Sequence, residues 1–269
     1  MLVDTHAHLN FSEYAKDIDQ IIKRSLENKV TKIICVGSNL DDSEKAITLA
    51  KKYPGVIYAA VGIHPQQTDP ENSQPLKEQT DRLAKLAAYQ EVVAVGECGL
   101  DFSPAPPGEK DRTRKEQIFL FQQQIKIAQD LKLPLIIHTR KAFMETVQLI
   151  ESFTNNPQST TENLLQGVFH CYSAGKKRIS KVTQLGFYFG TNGNLTYDPG
   201  LQNIFCQIPF DKIILETDCP FLSPVPFRNQ RNEPKNIKII AEYLSRLKNI
   251  PLKEVARQTT QNAQNLFNI

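Results

Sequence analysis

The sequence predicts an α/β fold, a single-domain (β/α)8 barrel of the TIM type that spans residues 1–269. Short apolar runs rich in β-branched residues recur eight times, and amphipathic helical segments separate them, as is typical of parallel sheets built from β–α units. The length of 269 residues is close to the roughly 250 residues typical of such barrels. All five histidines lie at the carboxyl-terminal ends of apolar runs, at the end of the barrel where this fold places its active sites.

The predicted strands are spaced so that one helix fits after each of them. They cover residues 2–3, 32–36, 56–63, 92–95, 133–137, 167–169, 186–189 and 212–215. Apolar residues at helical spacing predict helices over residues 18–26, 44–51, 78–88, 115–131, 142–153, 177–184, 236–248 and 252–267. The seventh unit is weak, because residues 196–205 contain Pro199, Gly200 and little periodicity. Loop insertions are predicted at residues 104–108 and 155–163.

Composition and charge exclude several classes of protein. With 40% hydrophobic and 23% charged residues the chain lies in the globular range, which excludes disordered and collagen-like proteins. A net charge of +3 is too small to indicate a nucleic-acid binder by itself. No run approaches the roughly 18 apolar residues of a membrane span, and residues 1–4 do not begin a secretory signal. The five cysteines form no Cys-x-x-Cys pair, which favours a reducing, cytoplasmic location.

Polar residues at the strand ends predict a metal site. His6 and His8 are two residues apart, so strand alternation places both on one face, where they could chelate an ion. Glu97 follows the fourth strand, and Glu216 and Asp218 follow the eighth. The remaining histidines follow the third, fifth and sixth strands (His64, His138 and His170). Imidazoles and carboxylates that converge on one barrel end suit a two-metal site, whereas Glu216 and Asp218 alone would suit a helix cap or a salt bridge.

Three cysteines, Cys98, Cys171 and Cys219, directly follow candidate ligands at the ends of predicted strands. Neighbouring side chains of a strand point to opposite faces, so Cys98 and Cys171 are predicted to turn away from the site and to be small buried residues.

The order and spacing of these motifs resemble the TatD family of metal-dependent deoxyribonucleases and related hydrolases, within the amidohydrolase-like TIM barrels. The resemblance runs nearly end to end. It rests on the segments VDTHAHLN (3–10), GIHP (62–65), GECGLD (96–101), LIIHTR (135–140), HCYS (170–173), ETDCP (216–220), RNEP (231–234) and the closing residues 262–267.

The resemblance implies two divalent metal ions. One would be held by His6, His8 and Asp218, and the other by His138 and His170, with Glu97 as the bridge between them. Imidazole-rich ligation favours Zn²⁺ or Mn²⁺, whereas nuclease activity in the family is usually described with Mg²⁺. Asp218 would also accept the proton of a metal-activated water.

The implied activity is phosphodiester hydrolysis of DNA, of the 3′→5′ exonuclease type, with RNA as a further substrate and no obligate protein partner. The predicted substrate contacts are His64, Arg140, Lys141, Tyr172 and Arg231. The loops predicted at the barrel end, residues 98–115, 139–142, 171–178 and 217–235, hold twelve Lys/Arg against five Asp/Glu, which suits a polyanionic substrate.

The sequence differs from the family pattern at two positions in loops that are expected to contact the substrate. The chain has Lys141 where the family usually has an acidic residue, and Ala174 where it usually has glycine. Deacylation of D-aminoacyl-tRNA therefore stays as an alternative. Amide or lactone hydrolysis is a further one, although many barrels of the wider superfamily use a carboxylated lysine in the place that Glu97 takes here.

Overall fold

A computed structural model describes residues 1–67, 75–104, 112–154 and 165–269. Within them, eight parallel strands form one sheet whose strand order follows the sequence. The strands are β1 (Leu2–Ala7), β2 (Val30–Val36), β3 (Ile57–Val61), β4 (Val92–Asp101), β5 (Leu135–Arg140), β6 (Gly167–Phe169), β7 (Tyr188–Thr191) and β8 (Ile213–Leu215). The helices are α1 (Ile18–Glu27), α2 (Leu40–Lys52), α3 (Leu76–Ala87), α4 (Arg114–Leu131), α5 (Phe143–Thr154), α6 (Ile179–Gln184), α7 (Pro199–Phe205), α8 (Ile237–Lys248) and α9 (Leu252–Phe267).

The sheet closes where the segment after β8 meets β1, and we call this junction the seam. The backbone N–H of Asp218 donates to the carbonyl of His6 at 2.8 Å, and that of His8 donates to Cys219 at 2.8 Å. The buried carboxylate of Asp4 accepts hydrogen bonds from the backbone N–H and the hydroxyl of Thr217, at 2.9 and 2.6 Å. The predicted (β/α)8 barrel is therefore confirmed.

Strand alternation divides the apolar residues into two layers. On β2, Ile34 and Val36 belong to the cluster inside the barrel, while Ile33 packs in the layer between the sheet and the helices. The inner cluster also contains Leu266 and Phe267 from the end of α9. The apolar core thus fills the lower barrel, and the polar side chains collect at the carboxyl ends of the strands, which we call the mouth.

Several strands run further toward the mouth than the apolar runs predict. β4 continues to Asp101 because it stays paired with β5, with Gly99 opposite His138 and Asp101 opposite Arg140. β1 likewise reaches Ala7, and β7 lies two residues later than predicted. Apolar runs underestimate these strands because their last residues are polar side chains that are buried together.

Capping explains two helix starts that periodicity predicts poorly. α2 begins four residues before the predicted start, because the Asn39 side chain accepts a hydrogen bond from the backbone of Asp42. The weak seventh unit does form a short helix, with Asp198 as the N-cap and Pro199 in its first turn. Apart from Pro104, the predicted loop insertions lie outside the described residues. Among the described helices none has the length and apolarity that crossing a bilayer needs.

Candidate metal centre

The histidines lie around one buried carboxylate, that of Glu97 on β4. Because all strands are parallel, their carboxyl ends bring residues from distant parts of the chain to the same mouth. The histidines come from β1, β5 and the loops after β1, β3 and β6 (His6, His138, His8, His64 and His170).

The two oxygens of Glu97 face different imidazoles. Oε2 lies 3.5 Å from Nε2 of His6 and 4.0 Å from Nε2 of His8. Oε1 lies 2.9 Å from Nδ1 of His138 and 3.8 Å from Nε2 of His170. A carboxylate placed between two groups of imidazoles in this way has the arrangement that a bridge between two ions requires.

Asp218 completes the first of these groups. The seam places its Oδ1 atom 3.7 Å from Nε2 of His6 and 3.4 Å from Nε2 of His8. The two Nε2 atoms are themselves only 3.2 Å apart. Nε2 of His8 has a free lone pair in the neutral ring, because its Nδ1–H donates to the carbonyl of Val36. Either a proton on Nε2 of His6 or a cation can therefore lie between the two atoms.

The electrostatic environment favours the ligating forms of Glu97 and His6. Burial would raise the pKa of Glu97, but the facing imidazoles of His64 and His170 hold it well below its usual value. The pKa of His6 is lowered, first by burial and then by the imidazole of His170. Carboxylate anions and neutral imidazoles are the protonation states that bind divalent ions.

Two imidazoles are hydrogen-bonded from behind by a second polar group, and a third lies within ion-pair distance of one. The contacts are His8 Nδ1 to the carbonyl of Val36 at 3.0 Å, His138 Nε2 to Asp101 Oδ2 at 3.0 Å, and His170 Nδ1 to Glu216 Oε2 at 3.1 Å. Partners of this kind fix which ring nitrogen faces a metal ion. The donor set and its supporting contacts therefore fit divalent cations.

His138 shows how strongly the carboxylates act on this cluster. Burial alone would lower the pKa of His138, but the carboxylates of Asp101 and Glu97 outweigh burial and raise it to about 9. The negative charges of Asp101 and Glu97 stabilise the protonated His138 ring, and they would equally stabilise a divalent cation bound to the neutral ring.

Asp101 contacts His138 and Glu216 contacts His170. The sequence motifs do not predict either of these two contacts. Both residues carry a signal in the sequence, because Asp101 lies four residues after Glu97 and Glu216 lies two residues before Asp218. Strand alternation on β4 places Glu97 and Asp101 on one face, whereas Glu216 and Asp218 both follow the end of β8. Glu216 is buried, and its Oε1 also accepts a hydrogen bond from the backbone of Cys171 at 2.6 Å.

Comparison with known proteins agrees with this geometry. A family model described as TatD related DNase matches residues 3–268. The chain belongs to the TatD family. The predicted family and the predicted class of enzyme, a metal-dependent hydrolase, are thereby confirmed.

Relatives of this TatD-family chain match it along its whole length. "Uncharacterized metal-dependent hydrolase YabD" of Bacillus subtilis is 34% identical over 272 residues, which cover 100% of both chains. "3'-5' ssDNA/RNA exonuclease TatD" of Erwinia tasmaniensis is 29% identical over 275 residues, again 100% of both chains. The crystal structure of YJJV, a TatD homologue from Escherichia coli K12, superposes with a TM-score of 0.86 at 26% identity and covers 100% of this chain and 98% of that one.

Three of the predicted substrate residues of this TatD-family chain, Arg140, Lys141 and Tyr172, line a groove that leads away from His170. Arg140 and Lys141 are exposed at the end of β5, and the groove has a volume of about 360 Å³. Arg178 lines the same groove, with its guanidinium 5.1 Å from the ring centroid of Phe143. We call this the Lys141 groove.

Three of the predicted substrate residues, His64, Tyr172 and Arg231, have close contacts within the protein. His64 lies inside the cluster, with Nε2 at 3.7 Å from Glu97 Oε1. Tyr172 is buried with 3% of its surface exposed and donates a hydrogen bond to the carbonyl of Gly175, which leaves little ring surface for a base. Arg231 forms an ion pair with Asp17 at 2.5 Å, so its charge is already paired within the protein. These contacts favour structural roles for Tyr172 and Arg231 over the predicted substrate contacts.

Of the two cysteines predicted to be buried and turned away from the site, Cys98 agrees with the prediction and Cys171 does not. Cys98 is fully buried, as predicted. Cys171 is only partly buried and does not turn away from the site: its Sγ lies 3.8 Å from Asp218 Oδ2 and accepts a hydrogen bond from Asn192 Nδ2 at 2.7 Å. The strand rule fails here because Cys171 lies beyond β6 in the left-handed region, with φ of 47°.

Proposed function

We propose that this TatD-family hydrolase cleaves phosphodiester bonds of DNA or RNA from the 3′ end, with two divalent metal ions at the Glu97 cluster. The observation that carries the proposal is the placement of Glu97, whose Oε2 faces Nε2 of His6 while its Oε1 faces Nδ1 of His138. The His6, His8 and Asp218 side chains would hold one ion, and His138 and His170 the other. The imidazole-rich donor set favours Zn²⁺ or Mn²⁺ over Mg²⁺ by ligand type.

Bound ions would supply a nucleophilic water at neutral pH and would neutralise charge on the phosphoryl oxygens. The protein's own part is to position these groups and to move a proton. Asp218 directs Oδ1 toward His6 and His8, while Oδ2 lies on the side of Cys171. It is therefore placed to accept a proton from a water in the cluster. Water oxygen would bond to phosphorus as the bond to the sugar oxygen breaks, without a covalent enzyme intermediate.

The Lys141 groove supports a polyanionic substrate. Arg140, Lys141 and Arg178 bring three cations to a groove that opens directly from His170. Exposed cations beside a cleft attract a phosphate backbone and raise its local concentration. The name of the Erwinia tasmaniensis relative supports both the polarity and the nucleic-acid class.

Lys141→Ala is expected to raise KM for a single-stranded oligonucleotide and to reduce the salt dependence of binding by about one charge. Metal affinity should not change. Lys132→Ala is the matched control, because Lys132 is also exposed and also left-handed (φ 56° against 54°) but precedes β5, at the opposite end of the barrel. An equal salt slope in both variants would assign Lys141 to the solvated surface.

The proposal is tested by offering the purified protein 3′-labelled and 5′-labelled single-stranded DNA beside D-aminoacyl-tRNA, with Mg²⁺, Mn²⁺ and Zn²⁺ in parallel. We expect labelled mononucleotides from the 3′ end at once and from the 5′ end last, and no release in the presence of a chelator. Hydrolysis of the aminoacyl ester with intact DNA would instead establish the deacylase alternative, to which Lys141 is equally suited as a phosphate contact.

A further inference from the structure

A second groove opens on the other side of the candidate metal centre. It has a volume of about 520 Å³ and is lined by Tyr197, Pro220, Phe221, Leu222, Arg228 and Arg231, among others. We call it the Phe221 groove. It follows the seam directly, because Phe221 is only three residues after Asp218.

Phe221 presents an unusual amount of ring surface for a residue so close to the cluster. Its side chain is 51% exposed, although phenylalanine is usually buried. Its ring centroid lies 6.3 Å from that of His8 and 6.3 Å from that of Phe11, in edge-on contacts. Phe11 in turn stacks on His8 at 4.7 Å. The exposed ring is therefore continuous with a side chain of the metal centre.

Two hydrogen bonds hold the backbone of Phe221. Its N–H donates to the carbonyl of Asp218 at 2.9 Å, and its carbonyl accepts from Asn232 Nδ2 at 2.7 Å. With the main chain held and one edge of the ring against Phe11 and His8, stacking on a ligand costs less conformational entropy than it would on a free loop.

The groove is lined by two arginines, Arg228 and Arg231, and by one carboxylate, that of Glu13. The guanidinium carbon of Arg228 lies 4.0 Å from the ring centroid of Tyr197, and Arg228 is exposed. Arg231 is occupied by Asp17, so Arg228 is the arginine of this groove that faces solvent without that ion pair. An aromatic platform beside a cation is the combination by which proteins hold single-stranded nucleic acid.

We propose that Phe221 is a stacking platform for the base of the nucleotide next to the scissile phosphate, with Arg228 beside the adjoining phosphate. The inference rests on the proposed function and narrows its substrate to nucleic acid whose terminal base is unpaired, because a base within a duplex has no free face. Stacking does not distinguish one base from another, so the subsite accepts any sequence.

The protein contains no tryptophan, which gives a direct probe of the subsite. Phe221→Trp would introduce the sole tryptophan, and a stacked base quenches indole fluorescence. The metal-loaded variant is titrated with a cleavage-resistant phosphorothioate oligothymidylate and with an abasic oligomer of the same length and charge. We expect quenching by the thymidylate and an affinity about tenfold tighter than for the abasic oligomer, as base–aromatic stacking provides.

Two further variants test whether the quenching and the preference for thymidylate depend on position 221. Tyr89→Trp places the sole tryptophan at another exposed aromatic position (46% exposed) that precedes β4, away from the mouth, and it should show no quenching. Phe221→Leu, measured by fluorescence anisotropy of labelled oligomers, should lose the tenfold preference for the thymidylate. Equal affinity for both oligomers in the Phe221→Trp protein would overturn the subsite.

The outcomes separate the subsite from the proposed function. If the unaltered protein digests DNA but the thymidylate and abasic oligomers bind Phe221→Trp equally, the subsite is wrong and the nuclease proposal stands. If thymidylate quenches Phe221→Trp but the unaltered protein cleaves no nucleic acid, the platform is supported and the nuclease proposal is wrong.

Discussion

Asp218→Asn is expected to lower kcat by about 10²–10⁴ even when the metal ion is saturating, as losses of a general base typically do. The substitution keeps the size of the side chain and one oxygen donor, but it removes the charge and nearly all of the basicity. If Asp218 acts only as a ligand, excess metal should restore most of the activity. If it also accepts the proton, activity should recover in part at alkaline pH, where hydroxide replaces the missing base.

Asp101→Asn is the matched control for this experiment. It makes the same chemical change within the same cluster, but Asp101 supports the ring of His138 at 3.0 Å and lies behind it. Its loss should weaken metal affinity and be compensated by excess metal. The base assignment is falsified if saturating metal ion also returns Asp218→Asn to full turnover at neutral pH.

Gly190→Ala is expected to weaken metal affinity by about 10- to 100-fold, the range found when a partner behind a metal ligand is lost. A Cβ atom at Gly190 on β7 would lie 2.4 Å from Oε2 and 2.7 Å from Cδ of Glu216. The carboxylate would have to leave its position at 3.1 Å from Nδ1 of His170. Titration of the metal-free protein against a chromophoric chelator measures the change without relying on activity.

A double-variant cycle shows whether the effect of Gly190 passes through Glu216. In a Glu216→Ala background the added methyl group has room, so Gly190→Ala should cause little further loss. Independent, additive losses would contradict this coupling. Thermal unfolding of the same four proteins separates a loss of metal affinity from a general loss of stability.

The sequence predicts the barrel and the histidine cluster for one physical reason. Parallel strands collect their carboxyl ends at one mouth, so residues that follow apolar runs meet there whatever their separation along the chain. For His6 and His8 the prediction also uses the alternation of side chains along a strand. Their Nε2 atoms lie 3.2 Å apart, as expected for two side chains on the same face. Predicting the barrel and the histidine cluster requires only the order of the strands and helices and the spacing of apolar residues within them.

The contacts that the sequence does not predict depend on side-chain orientation and on pairing between distant loops. Asp17 is 214 residues from Arg231, and no local pattern indicates that they form an ion pair. Cys171 turns toward Asp218 through a single left-handed residue. Similarly, the ring orientation of His170 determines that Glu216 rather than solvent contacts its Nδ1 atom.

The seam has a consequence for the timing of protein synthesis. His6 and Asp218 meet across it, although 212 residues separate them in the chain. At a synthesis rate of about 5–20 residues per second, Asp218 leaves the ribosome roughly 10–40 s after His6. Until then the nascent chain lacks part of the ligand group that the closed barrel brings together. A polypeptide growing beside messenger RNA and other nucleic acids therefore lacks the complete ligand set until Asp218 has emerged.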